Sequence, residues 1–290
     1  MPALWQLWDI FVTSFRHPYN KAGDGPEGPE VRTVAVKIDP VITGCKIVSV
    51  SDDGLLRNNV GVELLAPGMT IKKVSSYGKK VLIFLDELTI VISLGMSGRL
   101  CYEKSDSTHV IFTLQKDDSK FSLVFDDSRR FGSVRVVRDA NWELRDLGPD
   151  LLQAALTTEI SSEEWQKVFA KKMRSERKIC DVLTDQNLVA GIGWYLMTEI
   201  LYFCGISPLR KTKDVSLEEW ELLRIIAHHI IKVSYSYGGF TLQSYISPDG
   251  VPGTYPAVIY GKSVDPLGQP IVKEKYSGSR SITYVPTLQK

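Results

Sequence analysis

No apolar run in this 290-residue sequence approaches the ~18 residues a membrane-spanning helix requires. Cysteine is scarce. The four (Cys45, Cys101, Cys180, Cys204) lie far apart with no C-x-x-C pair, which argues against a zinc site and a disulfide framework. Their sparseness points to a reducing compartment, nucleus or cytoplasm, rather than secretion. Net charge is also nearly absent, at +1, so the global balance does not announce a nucleic-acid binder. There is no internal repeat and no low-complexity stretch. What remains, 43% hydrophobic and 24% charged residues, is the composition of a soluble globular protein.

Local features say more. Lys171 to Lys178 gathers Lys171, Lys172, Arg174, Arg177 and Lys178 against one acid, Glu176. A solvated helix face and a basic binding patch are both open readings. The first residues, MPALWQLWDIFVTSFRHPYN, are rich in aromatics but lack a basic n-region followed by a clean apolar core, so they make a poor secretory signal. An organelle-targeting peptide is a weaker alternative to an upstream translated or appended segment outside the fold.

After Pro29, residues Val31, Val34, Ala35 and Ile38 fall at i, i+3, i+4 and i+7, one face of a helix that Pro40 is expected to end. The period then changes. Short runs rich in Val, Ile, Leu, Thr and Phe at 46–51, 69–76, 80–86, 88–94, 108–115, 120–126 and 133–138 predict the strands of a β-sandwich or barrel. The stretches LGMSG (94–98) and DDSRRFG (126–132) are read as turns between them. From about 145 the pattern is helical. Ser161-x-x-Glu164 and Ser216-x-x-Glu219 are capping boxes, 192–204 is an apolar helix, and Gly238-Gly239 closes a long helix over 216–237. The tail from 255 reverts to strand character. The resulting division is a leader, 1–25, outside the fold; a β-sandwich catalytic domain with a leading helix, 26–145; a helical domain, 146–250; and a finger hairpin, 251–290. The fold class is α+β.

The stretch GDGPEGPEV (23–31) raises a chemical question. As an N-terminus, Pro26 would carry a secondary amine able to attack an aldehyde carbon and form an iminium ion, an electron sink for β-elimination. Glu27 beside it could transfer protons, and Glu30 could hold a second charge or hydrogen bond one turn on. Behind Gly25 the same nitrogen is an amide, and only a cut after Gly25 exposes it. Loss of Met1 exposes Pro2 instead, which has no adjacent carboxylate. Other candidates are Lys79 or Lys80 at a strand mouth, which could hold a phosphate, and Met96, Arg129 and Phe131, which could fill the gap left when a base leaves a duplex. Arg280, in the tail hairpin, could reach a phosphate. Taken singly, each has an ordinary structural reading.

Taken in order, PEGPEV, GKKVLIFL, LGMSGRL, DDSRRFG, LGPD (147–150), LTDQNLVAGIG (183–193), TEILYFCGISP (198–208), YGGFTLQSY (237–245), YG (260–261) and a late Arg resemble the formamidopyrimidine-DNA glycosylase / endonuclease VIII family of base-excision repair enzymes. The resemblance spans Pro26 to about Tyr284. It implies catalytic roles for Pro26 as Schiff-base nucleophile, for Glu27, for Glu30 and for Lys79. It implies DNA contacts by Arg280, by Met96, Arg129 and Phe131 in the emptied stack, and by Asn187 and Trp194 in a helix–two-turn–helix over 183–208 whose amides bind phosphate. It also implies a bifunctional glycosylase and abasic-site lyase that excises oxidised pyrimidines, formamidopyrimidines and hydantoins, without a metal or redox cofactor. The partner is double-stranded DNA, with single strands as a further substrate; no membrane is involved and the protein is expected to be a monomer.

Two departures stand out. No cysteine follows Cys204, so the tail resembles the zincless finger of eukaryotic-type and giant-viral endonuclease VIII-like enzymes, held by strand pairing and packing. Trp194 stands after GIG where the family places Asn, which predicts weakened DNA binding. The rival readings are a damage binder or monofunctional enzyme in which the leader blocks Pro26, and a protein-interaction module with no preference for abasic DNA.

Overall fold

The structure is a computed structural model that describes residues 25–240, 247–278 and 280–290. A leading helix, α1 (Gly28–Ile42), is followed by eight strands: β1 (Lys46–Asp52), β2 (Lys73–Tyr77), β3 (Lys80–Phe84), β4 (Thr89–Ser93), β5 (Gly98–Cys101), β6 (Thr108–Lys116), β7 (Ser119–Asp127) and β8 (Ser133–Val137). They form two antiparallel four-stranded sheets, ordered β1-β6-β7-β5 and β2-β3-β4-β8. The long β6–β7 hairpin turns on two residues, and Asp117 there takes φ +52°, as tight hairpin turns require. Alternate residues of the strands meet in one core with α1, including Ile38, Ile47, Val81, Ile92, Phe112 and Phe125.

Helices α2 (Ala140–Leu144), α3 (Leu151–Leu156), α4 (Ser162–Phe169), α5 (Ile179–Leu183), α6 (Trp194–Cys204) and α7 (Leu217–Ser236) follow. Both predicted capping boxes are present, at Ser161/Glu164 and Ser216/Glu219. α1 packs against both β2 and α7, so the first helix joins the sandwich to the helices. The tail forms the hairpin β9 (Val272–Ser277) and β10 (Arg280–Tyr284).

Three expectations are corrected. Pro40 does not end α1; it lies in the last turn, and the helix runs on to Ile42. The hydrogen bond Pro40 forgoes is that to Val36, a residue on the exposed side. LGMSG is only half a turn, because Gly98 already pairs with Asp127 as the first residue of β5. Cross-strand pairing decides that, and a four-residue strand leaves too short a period to read. Lys171 to Lys178 is no helix face: α4 stops at Phe169, and Glu176 pairs with Lys211 and Lys213 from beyond the cluster.

Candidate active site

Glu27 stands just before α1 and is buried. Its side chain leaves the sandwich and reaches the start of α6. Oε2 accepts the Gly193 N–H at 2.6 Å, and Oε1 accepts the Tyr195 N–H at 2.9 Å. A helix N-terminus offers donors and partial positive charge, so it suits an ionised carboxylate. Lys79 approaches the same corner. A Cβ on Gly193 would lie 2.3 Å from Glu27 Cδ and 2.5 Å from Lys79 Nζ. Only a hydrogen at Gly193 leaves room for both charges.

Glu30 is fully buried. It accepts the Glu27 N–H at 2.8 Å, the Tyr195 hydroxyl at 2.8 Å and the Phe240 N–H at 2.6 Å. Burial raises its pKa above the ordinary carboxylate value, while the three donors oppose the shift. The Tyr195 phenol is pushed well above its usual pKa by burial, and the carboxylates of Glu30 and Glu27 add to this. It therefore stays protonated and donates. Gly239, at φ +93°, lets the chain pass so close that a Cβ there would stand 2.3 Å from Glu30 Oε1. The two carboxylates of PEGPEV thus tie α1 to α6 and to the end of α7. Glu30 acts by holding Glu27 and Tyr195.

Pro26, Lys79, Met96 and Phe131 line one cleft of about 430 Å³. Four residues singled out separately in the sequence are therefore brought together. Lys79 sits in the tight turn between β2 and β3, held by Tyr77 Oη donating to the Gly148 carbonyl (2.9 Å) and the Gly78 N–H donating to Asp150 (2.9 Å). That contact gives the LGPD motif a purpose. Lys80 lies half-buried on β3, and burial lowers its pKa. The Met96 and Phe131 loops are bound to each other through Asp127, which accepts from the Ser97 hydroxyl, from the Arg129 N–H at 3.2 Å and from the Gly132 N–H at 2.7 Å. Arg130 takes φ +58° in this turn. Phe131 is 55% exposed, so it is no core residue. The Arg129 guanidinium lies 5.0 Å from its ring centroid.

Arg280 opens β10 and is exposed, with its guanidinium 5.3 Å from the Trp194 ring centroid. Trp194 is only 8% exposed and donates its indole N–H to the Ser281 carbonyl. The indole donor is thus engaged by the hairpin, so Trp194 packs against it. Asn187 is exposed on the loop between α5 and α6 and lies outside the cleft lining.

The arrangement matches known proteins along most of its length. Residues 25–134 match the formamidopyrimidine-DNA glycosylase N-terminal domain and residues 147–245 match the formamidopyrimidine-DNA glycosylase H2TH domain. The formamidopyrimidine-DNA glycosylase of Xanthomonas oryzae pv. oryzae is 32% identical over 283 residues, covering 91% of this chain and all (100%) of the relative. That of Hahella chejuensis is 29% identical over 280 residues with the same coverage. The chain belongs to the formamidopyrimidine-DNA glycosylase family. Members are DNA glycosylases that also carry abasic-site lyase activity. The crystal structure of the MutM (Fpg) protein from Thermus thermophilus superposes with a TM-score of 0.81 at 29% identity, covering 91% of this chain and 98% of that one. The complex between the Lactococcus lactis Fpg and abasic-site DNA gives 0.79 at 25% identity, covering 91% and 99%.

The hairpin of this glycosylase does not fit a structural zinc. The chain has no cysteine after Cys204, and among the described residues no group of three or more His, Cys, Asp or Glu could hold a metal ion. Other contacts hold it. Tyr202, Val258, Ile259 and Val285 form a small apolar core with Ile271 and Leu288 against it. Asp265 accepts from the Leu267 N–H, the Gln269 N–H and the Tyr202 hydroxyl. Buried Glu199 on α6 accepts the N–H groups of Val258, Ile259 and Tyr260 at 2.6, 3.0 and 2.9 Å. Sequence reasoning missed Tyr195, Glu199, Gly193 and Gly239. Tyr195 and Glu199 carried a signal, as polar groups four residues apart in a largely apolar helix.

Proposed function

We propose that this glycosylase excises oxidised bases (oxidised pyrimidines, formamidopyrimidines and hydantoins) from duplex DNA and then cuts the strand by β,δ-elimination. The observation that carries the reading is the cleft in which Pro26 and Lys79 meet Met96 and Phe131, beside the Glu27 carboxylate. The everted nucleotide takes the cleft, and Met96, Arg129 and Phe131 fill the stack it left. The Pro26 nitrogen, exposed as an amine, attacks C1′ of the sugar and the base departs. Glu27 transfers protons through ring opening, and the iminium ion draws off electrons for elimination. Lys79 and Arg280 hold the flanking phosphates.

A second reading rests on Gly25. It is in place beside the cleft loop, where a Cβ on it would stand 2.3 Å from the Gly95 carbonyl oxygen. While Gly25 is attached, the Pro26 nitrogen is an amide, and the protein is a damage binder or a monofunctional glycosylase working through Glu27 and water. Borohydride trapping on an abasic-site duplex, with peptide mapping of the adduct, separates the two. An adduct on Pro26 supports the lyase. Binding without an adduct leaves the second reading.

A further inference from the structure

The hairpin that carries Arg280 sits on the helix corner that the Glu27 and Lys79 side chains reach, and one side chain links them. Trp194 is the first residue of α6, directly after Gly193. Its indole N–H donates to the Ser281 carbonyl, next to Arg280 on β10. Its ring faces the Arg280 guanidinium at 5.3 Å and lies 6.2 Å from the ring of Tyr276 on β9. Tyr276 in turn donates to Asp181 on α5 at 2.7 Å, with Lys178 Nζ 4.7 Å from its ring centroid. Both strands of the hairpin are thus fastened to the two helices by an aromatic pair.

We propose that Trp194 is a positioning residue for Arg280. A flexible arginine on a two-stranded hairpin loses side-chain freedom when it grips a phosphate. A desolvated ring beneath the guanidinium removes part of that loss in advance and leaves its N–H groups facing outward. The indole N–H fixes the strand from which Arg280 springs, so the guanidinium is held over the helix start whose preceding residue, Gly193, is the one Lys79 approaches. The proposal rests on the DNA-binding reading above, and it accounts for a bulky aromatic at a helix N-terminus where a small polar donor would otherwise serve.

The test is a double-mutant cycle in the full chain: parent, Trp194→Leu, Arg280→Ala and both together. Affinity is measured on a duplex with a tetrahydrofuran abasic analogue across a salt series. Trp194→Leu is expected to weaken binding about 3- to 30-fold, the range of one cation–π contact. It should reduce the log–log salt slope by up to about 0.9, one phosphate. In the Arg280→Ala background it should do nothing further. Equal losses in both backgrounds, or an unchanged salt slope, overturn the proposal. Trp194→Phe keeps a ring without the N–H and should lie between parent and Trp194→Leu; it carries the same cycle if Trp194→Leu fails to fold. The positioning itself is read without DNA, from ring-current shifts of the Arg280 side-chain protons. Shifted protons that return to ordinary positions in the ring-less variant support it even if the parent fails to bind, in which case the DNA-binding reading falls instead. Unshifted protons in the parent overturn it.

Discussion

Glu27 and Gly193 are 166 residues apart in the chain, yet the Gly193 N–H donates to the Glu27 carboxylate at 2.6 Å. This bond joins the sandwich to the helical half at the centre of the site. It makes Gly193→Ala an informative substitution. The backbone there has φ −124°, which any residue adopts, so the added methyl acts only by volume. It should displace the Glu27 carboxylate and Lys79 ammonium while the fold survives. Base release is expected to fall about 10²-fold or more, on the scale of losing a general acid–base group, with circular dichroism unchanged. Single-turnover excision assays check this.

Phe131 separates function from stability from the exposed side of the site. At 55% exposure it contributes little to the core. Phe131→Ala should change unfolding free energy by no more than about 0.5 kcal/mol. It should weaken binding or excision by ~1–3 kcal/mol, the worth of one ring stacked on a base. Denaturant melts alongside excision rates decide the matter. A large stability loss would show that the ring packs inward.

Glu30→Gln replaces an oxygen by an NH₂ group that must face a donor. Oε1 takes two donors, from Tyr195 and Phe240, and Oε2 takes one, from Glu27. The variant should lose ~1–3 kcal/mol, the cost of leaving a buried donor unmatched. The pH dependence of stability should change as well. The folded-state pKa of Glu30 is raised by burial. Above the ordinary value of 4.5, the folded state holds a proton that the unfolded state releases. Stability from this group therefore falls as pH rises from that value through the raised one. The part of the slope due to Glu30 should vanish in Glu30→Gln, as followed by urea melts across pH, while the like-signed parts from Asp150 and Glu199 remain.

His228 works with the opposite sign. It is buried on α7, with Nδ1 2.8 Å from the Arg224 carbonyl and Nε2 3.1 Å from the Ile160 N–H. A neutral ring satisfies both, donating at Nδ1 and accepting at Nε2. Burial lowers its pKa below 6.5, only partly offset by the Arg224 carbonyl. As pH falls below 6.5 the unfolded chain takes up a proton that the folded one refuses, and stability is lost. His228→Gln should flatten that acid limb between the ordinary and the lowered value. Thermal melts from pH 7 to pH 5 measure it.

Local periodicity made much of the fold legible. The strand runs, both capping boxes and the long helix that stops before Gly238 need only neighbours within a few residues, and those are written in order. β5 and the true end of α1 were not legible, because pairing with β7 and docking on β2 decide them. The loops that carry Met96, Arg129 and Phe131 were read as turns from their Gly, Asp and Ser content. Their joining through Asp127 was not foreseeable from spacing, since one carboxylate collects donors from two loops.

The sequence by itself determined the ingredients: PEGPEV at the start of a helix, two lysines at a strand mouth, an arginine on a late hairpin, and a tail without cysteine. It determined the α+β class as well, because helical and strand periods depend on residues a few positions apart. The tertiary structure decided what each ingredient does. It made Glu30 a holder of Glu27 and Tyr195, assigned Lys79 to the cleft and Lys80 to the sheet, and turned Trp194 toward the hairpin. Those outcomes depend on contacts between residues far apart in the chain, which are fixed only when burial sets the distance between a carboxylate and the amides it meets.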